Sequence, residues 1–170
     1  ALASEFGSLE EPVDVFISCN TAHAFIPGAL RLLPGHLEQK LSIHSMVAIA
    51  AEGCTQEEGK TVVLSTTGTR KSNLYKNILE SRKVDMFEIS EESQASLMAA
   101  IYDGIKNGSD HQAIKHGYDA LKSLEQKDGL STIIAACTEI PILLDLLQDS
   151  NILSLGKFRV IDPVVEVLDH

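Results

Sequence analysis

Cys19 and Cys137 are the residues of this chain best placed to do chemistry. Cys19 closes the apolar run Val15-Phe-Ile-Ser and leads into Asn20-Thr21-Ala22-His23, while Cys137 closes Thr132-Ile-Ile-Ala-Ala and leads into Thr138-Glu139-Ile140-Pro141. Each reads as a strand end followed by the start of a helix. A thiol placed there lies near the positive end of the helix, an interaction worth up to about 2 kcal/mol in favourable geometry. At about 1.36 kcal/mol per pKa unit, that draws a thiol from about 8.5 toward about 7, where it can both give and take a proton. Two such thiols facing each other across a cleft suit removal of a proton from a carbon acid on one side and its return on the other, a racemisation without a cofactor. The alternative is packing, because a free cysteine behaves as a small hydrophobe and is among the most buried residue types. Cys54, after Gly53 at a helix end and without the strand-cysteine-threonine context, takes that second reading.

Thr66-Thr67-Gly68-Thr69 follows one strand and precedes a helix. Its backbone N–H groups and hydroxyls suit a carboxylate or phosphate, and equally an ordinary helix cap. Cys19 and His23 are four residues apart, yet no further ligands stand at zinc spacing, so no metal site is expected. His36, His44, His111, His116 and His170 form no cluster, and only His44 sits on a short segment able to return toward the cleft. A cysteine hydrolase needs a histidine with its own orienting partner beside one thiol, and the sequence offers no obvious partner.

These residues need a scaffold, and the chain supplies a regular one. With 170 residues, 44% of them hydrophobic and 22% charged, it can bury one core, split into two lobes or not. Strands are predicted at 14–18, 60–65, 84–89, 131–136 and 158–161, and 41–45 is either a strand or a loop. Helical patterns fill the intervals: one after Cys19 carrying Ala22, Phe25 and Ile26 toward Leu30 and Leu33, then 46–52, 72–82, one from Ser90 through Ile105, one from Ser109 through Leu124, one through Leu147, and a last from Pro163. Leu2, Phe6 and Leu9 also stand at helical spacing, with no strand before them. Strands alternating with helices of this length imply an α/β protein with a mostly parallel sheet covered on both faces, whose ligands bind beyond the carboxyl ends of the strands. Cys19, the 66–69 turn and Cys137 all fall at that edge.

The net charge of -10 argues against nucleic-acid and anionic-membrane partners, but a cleft can still hold a small anion through helix ends and one or two cations. No apolar run reaches the length of a membrane span and no leader opens the chain, so a cytoplasmic location is expected. Three cysteines are too few for a secreted disulfide framework.

Taken together, Cys19-Asn-Thr-Ala-His23, Leu64-Ser-Thr-Thr-Gly-Thr69 through Ser72 and Tyr75, Ile101-Tyr-Asp-Gly-Ile-Lys-Asn-Gly108 and Ala136-Cys-Thr-Glu-Ile-Pro141 resemble four segments, in order, of the aspartate/glutamate racemase family. The resemblance implies two pseudo-symmetric Rossmann-like lobes with mostly parallel sheets and the site between them, in a homodimer. It places 1–41 and 150–170 in a first lobe and 42–149 in a second. It also implies a two-base mechanism without a cofactor, with Cys19 and Cys137 on opposite faces of the α-carbon of a small amino-acid substrate. Asn20, Thr21, Thr67, Thr69 and Thr138 would bind the α-amino and carboxylate groups, and Tyr102 and Lys106 would help neutralise a carboxylate. Glu139 completes the set. It stands where glutamate racemases carry a histidine, which tips the resemblance toward aspartate or a broader range of amino acids, with glutamate the nearest alternative. Family members begin with a strand and a glycine-rich loop before the first cysteine. Roughly sixty residues, about two strand-helix units, are expected to be missing here, leaving the first lobe incomplete.

Overall fold

The computed structural model describes residues 11–169, so the helical pattern at Leu2, Phe6 and Leu9 and the histidine at 170 lie outside the described residues. The chain runs from β1 (Val13–Phe16) through a 3-10 turn (Thr21–Ala24), α1 (Ile26–Leu30) and α2 (Gly35–Glu38) to β2 (Leu41–His44) and α3 (Met46–Glu52). Then come β3 (Lys60–Ser65), α4 (Thr67–Lys71), α5 (Leu74–Ser81), β4 (Met86–Phe87) and α6 (Glu91–Ala99). α6 continues as a π-helical stretch, Ala100–Gly104, and a 3-10 turn, Ile105–Asn107. The remainder is α7 (Asp110–Leu121), β5 (Leu130–Ala136), α8 (Glu139–Asp149), β6 (Arg159–Ile161) and α9 (Pro163–Asp169).

All strand pairs among the described residues are parallel, and they form two sheets. β1 pairs with β2, and the larger sheet has the order β4-β3-β5-β6. The composition of β5 explains its central place. Ile133 and Ala135 pack on one face with Leu97, Ile101 and Leu143, while Ile134 and Ala136 pack on the other with Met46, Ala50 and Leu79. A strand buried on both faces needs apolar residues at successive positions rather than at alternate ones, which is how Ile133-Ile-Ala-Ala136 reads. Among the described residues no helix is long and apolar enough to cross a membrane.

The tail 150–170 sends β6 into the larger sheet beside β5, where Ile161 is fully buried. α9 places Val167 in the same core as Met46 and Val47. β2 begins at Leu41, which pairs with Val13 of β1. The single helix expected after Cys19 is a 3-10 turn followed by the short α1, and Phe25 is 70% exposed. Pro27 near the start of α1 has no N–H to continue the preceding turn. The helix predicted over 72–82 starts only after Asn73, whose φ of 55° sets the break between α4 and α5. Asparagine adopts this left-handed conformation more readily than most residues.

Gly104 decides how closely α6 and α7 approach. A Cβ on it would lie 2.5 Å from Ala113 Cα and 2.6 Å from Ala113 N, both backbone atoms that cannot swing away. Gly104→Ala is therefore expected to destabilise the protein by roughly 1–3 kcal/mol through overpacking, measured by urea unfolding. Because Gly104 lies between Tyr102 and Lys106, this contact also sets where those two side chains stand.

Candidate active site

The larger sheet reverses its winding between β3 and β5. From β3 the chain moves outward to β4, then returns across to β5 on the other side. Crevices at such reversals, beyond the carboxyl ends of the strands, are where open α/β sheets bind ligands. The carboxyl end of β1 converges on the same place, so three strand ends bound one cleft. β1 contributes Ser18, Cys19, Asn20 and Thr21, β3 contributes Thr66 and Gly68, and β5 contributes Cys137, Thr138 and Glu139. Met98, Tyr102 and Lys106 close it from α6 and its π-helical continuation. A volume of about 350 Å³ lies at the small end of the range for small-molecule sites.

The two thiols have different surroundings. Cys19 is exposed, whereas Cys137 is half-buried and donates a hydrogen bond to Glu139 Oε2 at 2.8 Å. Burial, and then this bond to a carboxylate, push the Cys137 thiol up to about 11. The expected lowering toward neutrality by a helix N-terminus is thus overturned at Cys137. The carboxylate two residues later occupies that helix end itself. Partial burial raises Glu139, but hydrogen bonds from Cys137 and Thr138 (3.1 Å), its own backbone and Lys106 outweigh it and hold the carboxyl below its ordinary value. Lys106 Nζ stands 3.3 Å from Glu139 Oε1 and 4.7 Å from the centroid of the Tyr102 ring, and the hydrogen bond to Glu139 raises its pKa. Thiol, carboxylate and ammonium therefore form one connected row along the wall of the cleft.

Hydroxyl and amide contacts tie the Cys19 loop to the larger sheet. Thr21 Oγ1 lies 2.7 Å from Thr69 Oγ1 and 3.3 Å from Thr66 Oγ1, and the Tyr75 hydroxyl donates to Asn20 Oδ1. Thr66 also caps α4, its hydroxyl accepting from Thr69 N at 3.3 Å. His23 is buried and its Nδ1 bonds to the Cys19 carbonyl oxygen at 2.9 Å. With Cys19 exposed and His23 buried, the two do not share a face. His44 faces away from the cleft altogether, paired with Asp14 at 2.7 Å and stacked on Phe16. Among the described residues no group of three or more His, Cys, Asp or Glu could hold a metal ion.

Of the site residues expected from the sequence, Cys19, Asn20, Thr21, Tyr102, Lys106, Cys137, Thr138 and Glu139 come together in this cleft. Thr67 and Thr69 do not line it. They face a neighbouring cavity of about 240 Å³ with Arg70, Met86 and Phe87, although Thr69 reaches the cleft wall through Thr21. The sequence marks Thr66 only as part of the 66–69 turn and passes over Met98, which stands one helical turn before Tyr102. Met98 Sδ accepts a hydrogen bond from Thr67 N at 3.3 Å, and so joins α6 to the start of α4.

Comparison with known proteins fits this geometry. A glutamate racemase of Corynebacterium diphtheriae is 27% identical over 134 residues, which are 79% of this chain and 48% of that protein. A second curated relative, a glutamate racemase of a Sulfurihydrogenibium species, is 26% identical over 92% of this chain and 56% of its own length. This chain therefore spans about half the length of the curated relatives it matches. Among solved structures, the aspartate racemase of Picrophilus torridus matches with a TM-score of 0.65 at 20% identity, over 88% of this chain and 56% of that one. At that identity the match speaks for the fold alone. The Asp/Glu/Hydantoin racemase model covers residues 1–169, and on that match the chain belongs to this family.

Proposed function

We propose that the chain carries the two-cysteine site of an amino-acid racemase acting on aspartate, with glutamate the alternative substrate. The observation that supports this best is that Cys19 and Cys137, from strands of different sheets, line one cleft sized for a small ligand. In this reading one cysteine, as thiolate, takes the proton from Cα and breaks the C–H bond, leaving the electron pair on a planar carbanion. The other thiol gives its proton to the opposite face, and the pair ends with charge and proton exchanged between the sulfurs. Cys137 is protonated at neutral pH, since burial and Glu139 both oppose its ionisation, so it rests as the proton donor. Asn20, Thr21 and Thr138 hold the amino and carboxylate groups, while Lys106 and Tyr102 lie where a second carboxylate would be neutralised. Thr66 joins this set because it lines the cleft where Thr67 and Thr69 do not.

Aspartate is favoured by Glu139 standing where glutamate racemases resemble Cys-Thr-His. Glutamate is kept by the names of the curated relatives. The two are separated by incubating the chain in D2O with each enantiomer of each amino acid and following deuterium at Cα by NMR. The expected result is uptake and inversion with aspartate, faster than with glutamate. No uptake with any of the four would overturn the racemase reading for this chain.

A further inference from the structure

We infer that Tyr75 is a positioning residue that fixes the orientation of the Asn20 side-chain amide in the cleft. Tyr75 is 3% exposed and Asn20 4% exposed. The tyrosine comes from the first turn of α5, entered through the left-handed Asn73, and its hydroxyl reaches across from the larger sheet to the Cys19 loop. Asn20 Oδ1 is the partner that the Tyr75 hydroxyl finds there. A buried O–H without an acceptor is costly, so the phenol donates and Oδ1 must be the atom turned toward it. In the reverse orientation Nδ2 would donate to the phenol oxygen, and the buried O–H would have to find another acceptor. Burial drives the phenol well above its ordinary pKa, so it is a neutral donor at neutral pH. A histidine or carboxylate in its place would change role with pH.

With Oδ1 committed to Tyr75, the two Nδ2 protons are what Asn20 can offer the cleft that it lines beside Cys19. On the side away from Tyr75, Asn20 then presents N–H donors. It suits a carboxylate oxygen and not an ammonium group, which sorts the two ends of an α-amino acid before either thiol is engaged. The orientation of Asn20 stands on geometry alone, while its consequence for an amino-acid substrate rests on the racemase reading above.

Tyr75→Phe keeps the ring in its core position and removes only the donor. In the substrate-free chain, the Asn20 side-chain amide, observed by 15N-resolved NMR, is expected to give one sharp proton pair that shifts and broadens in Tyr75→Phe. With aspartate as substrate, KM is expected to rise roughly tenfold with a smaller change in kcat, as follows from loss of one fixed hydrogen bond to a charged group. In an Asn20→Ala background the same tyrosine substitution should leave KM unchanged. An Asn20 amide spectrum identical in wild type and Tyr75→Phe would overturn the proposal, as would an equal KM change in both backgrounds, which marks a general structural effect. If the amide responds as expected but no amino acid is turned over, the orientation stands and the racemase reading falls.

Discussion

Racemisation of aspartate is expected to fall by about 10²–10⁴-fold in Cys19→Ser and in Cys137→Ser, the usual contribution of a positioned acid or base. Serine keeps the size of the side chain and, at 137, can still donate to Glu139, so the cleft should survive while the proton transfer does not. The distinguishing result is not the loss but what remains. If the two sulfurs address opposite faces of the α-carbon, the thiol left in each variant can still remove a proton from one enantiomer and return a solvent deuteron to the same face. Each single variant should then exchange the α-proton of one enantiomer without inverting it, and the two variants should act on different enantiomers. Exchange of the same enantiomer by both, or full racemisation by either, would sink the two-base assignment.

The parts of the fold legible in the sequence were those in which one strong pattern had no rival. The run of β-branched and small residues at 131–136 and the periodic segments at 46–52 and through Leu147 form close to where the sequence predicts them, because burial on both faces, or one apolar stripe, admits few alternatives. Errors gathered where a short polar feature competed with periodicity. Asn73 split a helix that the spacing of Leu74, Ile78 and Leu79 predicts as continuous with Ser72, and Pro27 did the same near Cys19. Where the tail pairs is a long-range property. Nothing in Arg159–Ile161 itself says that it lies against β5. At the site, residue types beside the cysteines were readable, but side-chain direction was not. Thr67 and Thr69 line the neighbouring cavity, Thr69 reaching the cleft only through Thr21, while Thr66 lines the cleft itself. The field at Cys137 was misjudged for a related reason. A helix N-terminus alone lowers a thiol, whereas burial, and then Glu139 folded back onto the sulfur at 2.8 Å, raise this one.

Glu139→Gln tests that reversal directly. Burial is the larger cause of the raised Cys137 thiol and is untouched by the substitution, so only part of the rise to about 11 should be lost. A fall of about one unit raises the thiolate fraction near pH 8 roughly tenfold. Lower basicity reduces the nucleophilicity of that thiolate, so the rate of alkylation by iodoacetamide should rise only about threefold. The same substitution should alter the dependence of stability on alkali. Below pH 9 the Cys137 thiol is protonated in both the folded and unfolded chain, and its contribution to stability is fully present. Between its ordinary value of 9.0 and about 11, the unfolded chain releases the proton while the folded chain retains it. The folded state then binds more protons, and stability falls as pH rises, by about 2 kcal/mol at most for a thiol this incompletely buried. Buried Cys54, also raised by burial, adds a loss of the same sign, but it is common to both proteins and cancels in their difference. Urea unfolding at pH 8 and at pH 10.5 should show a smaller alkaline loss in Glu139→Gln than in the parent chain. Equal losses, with alkylation of Cys137 unchanged, would mean that Glu139 does not govern the thiol, and Cys137 would then owe its protonated resting state to burial alone.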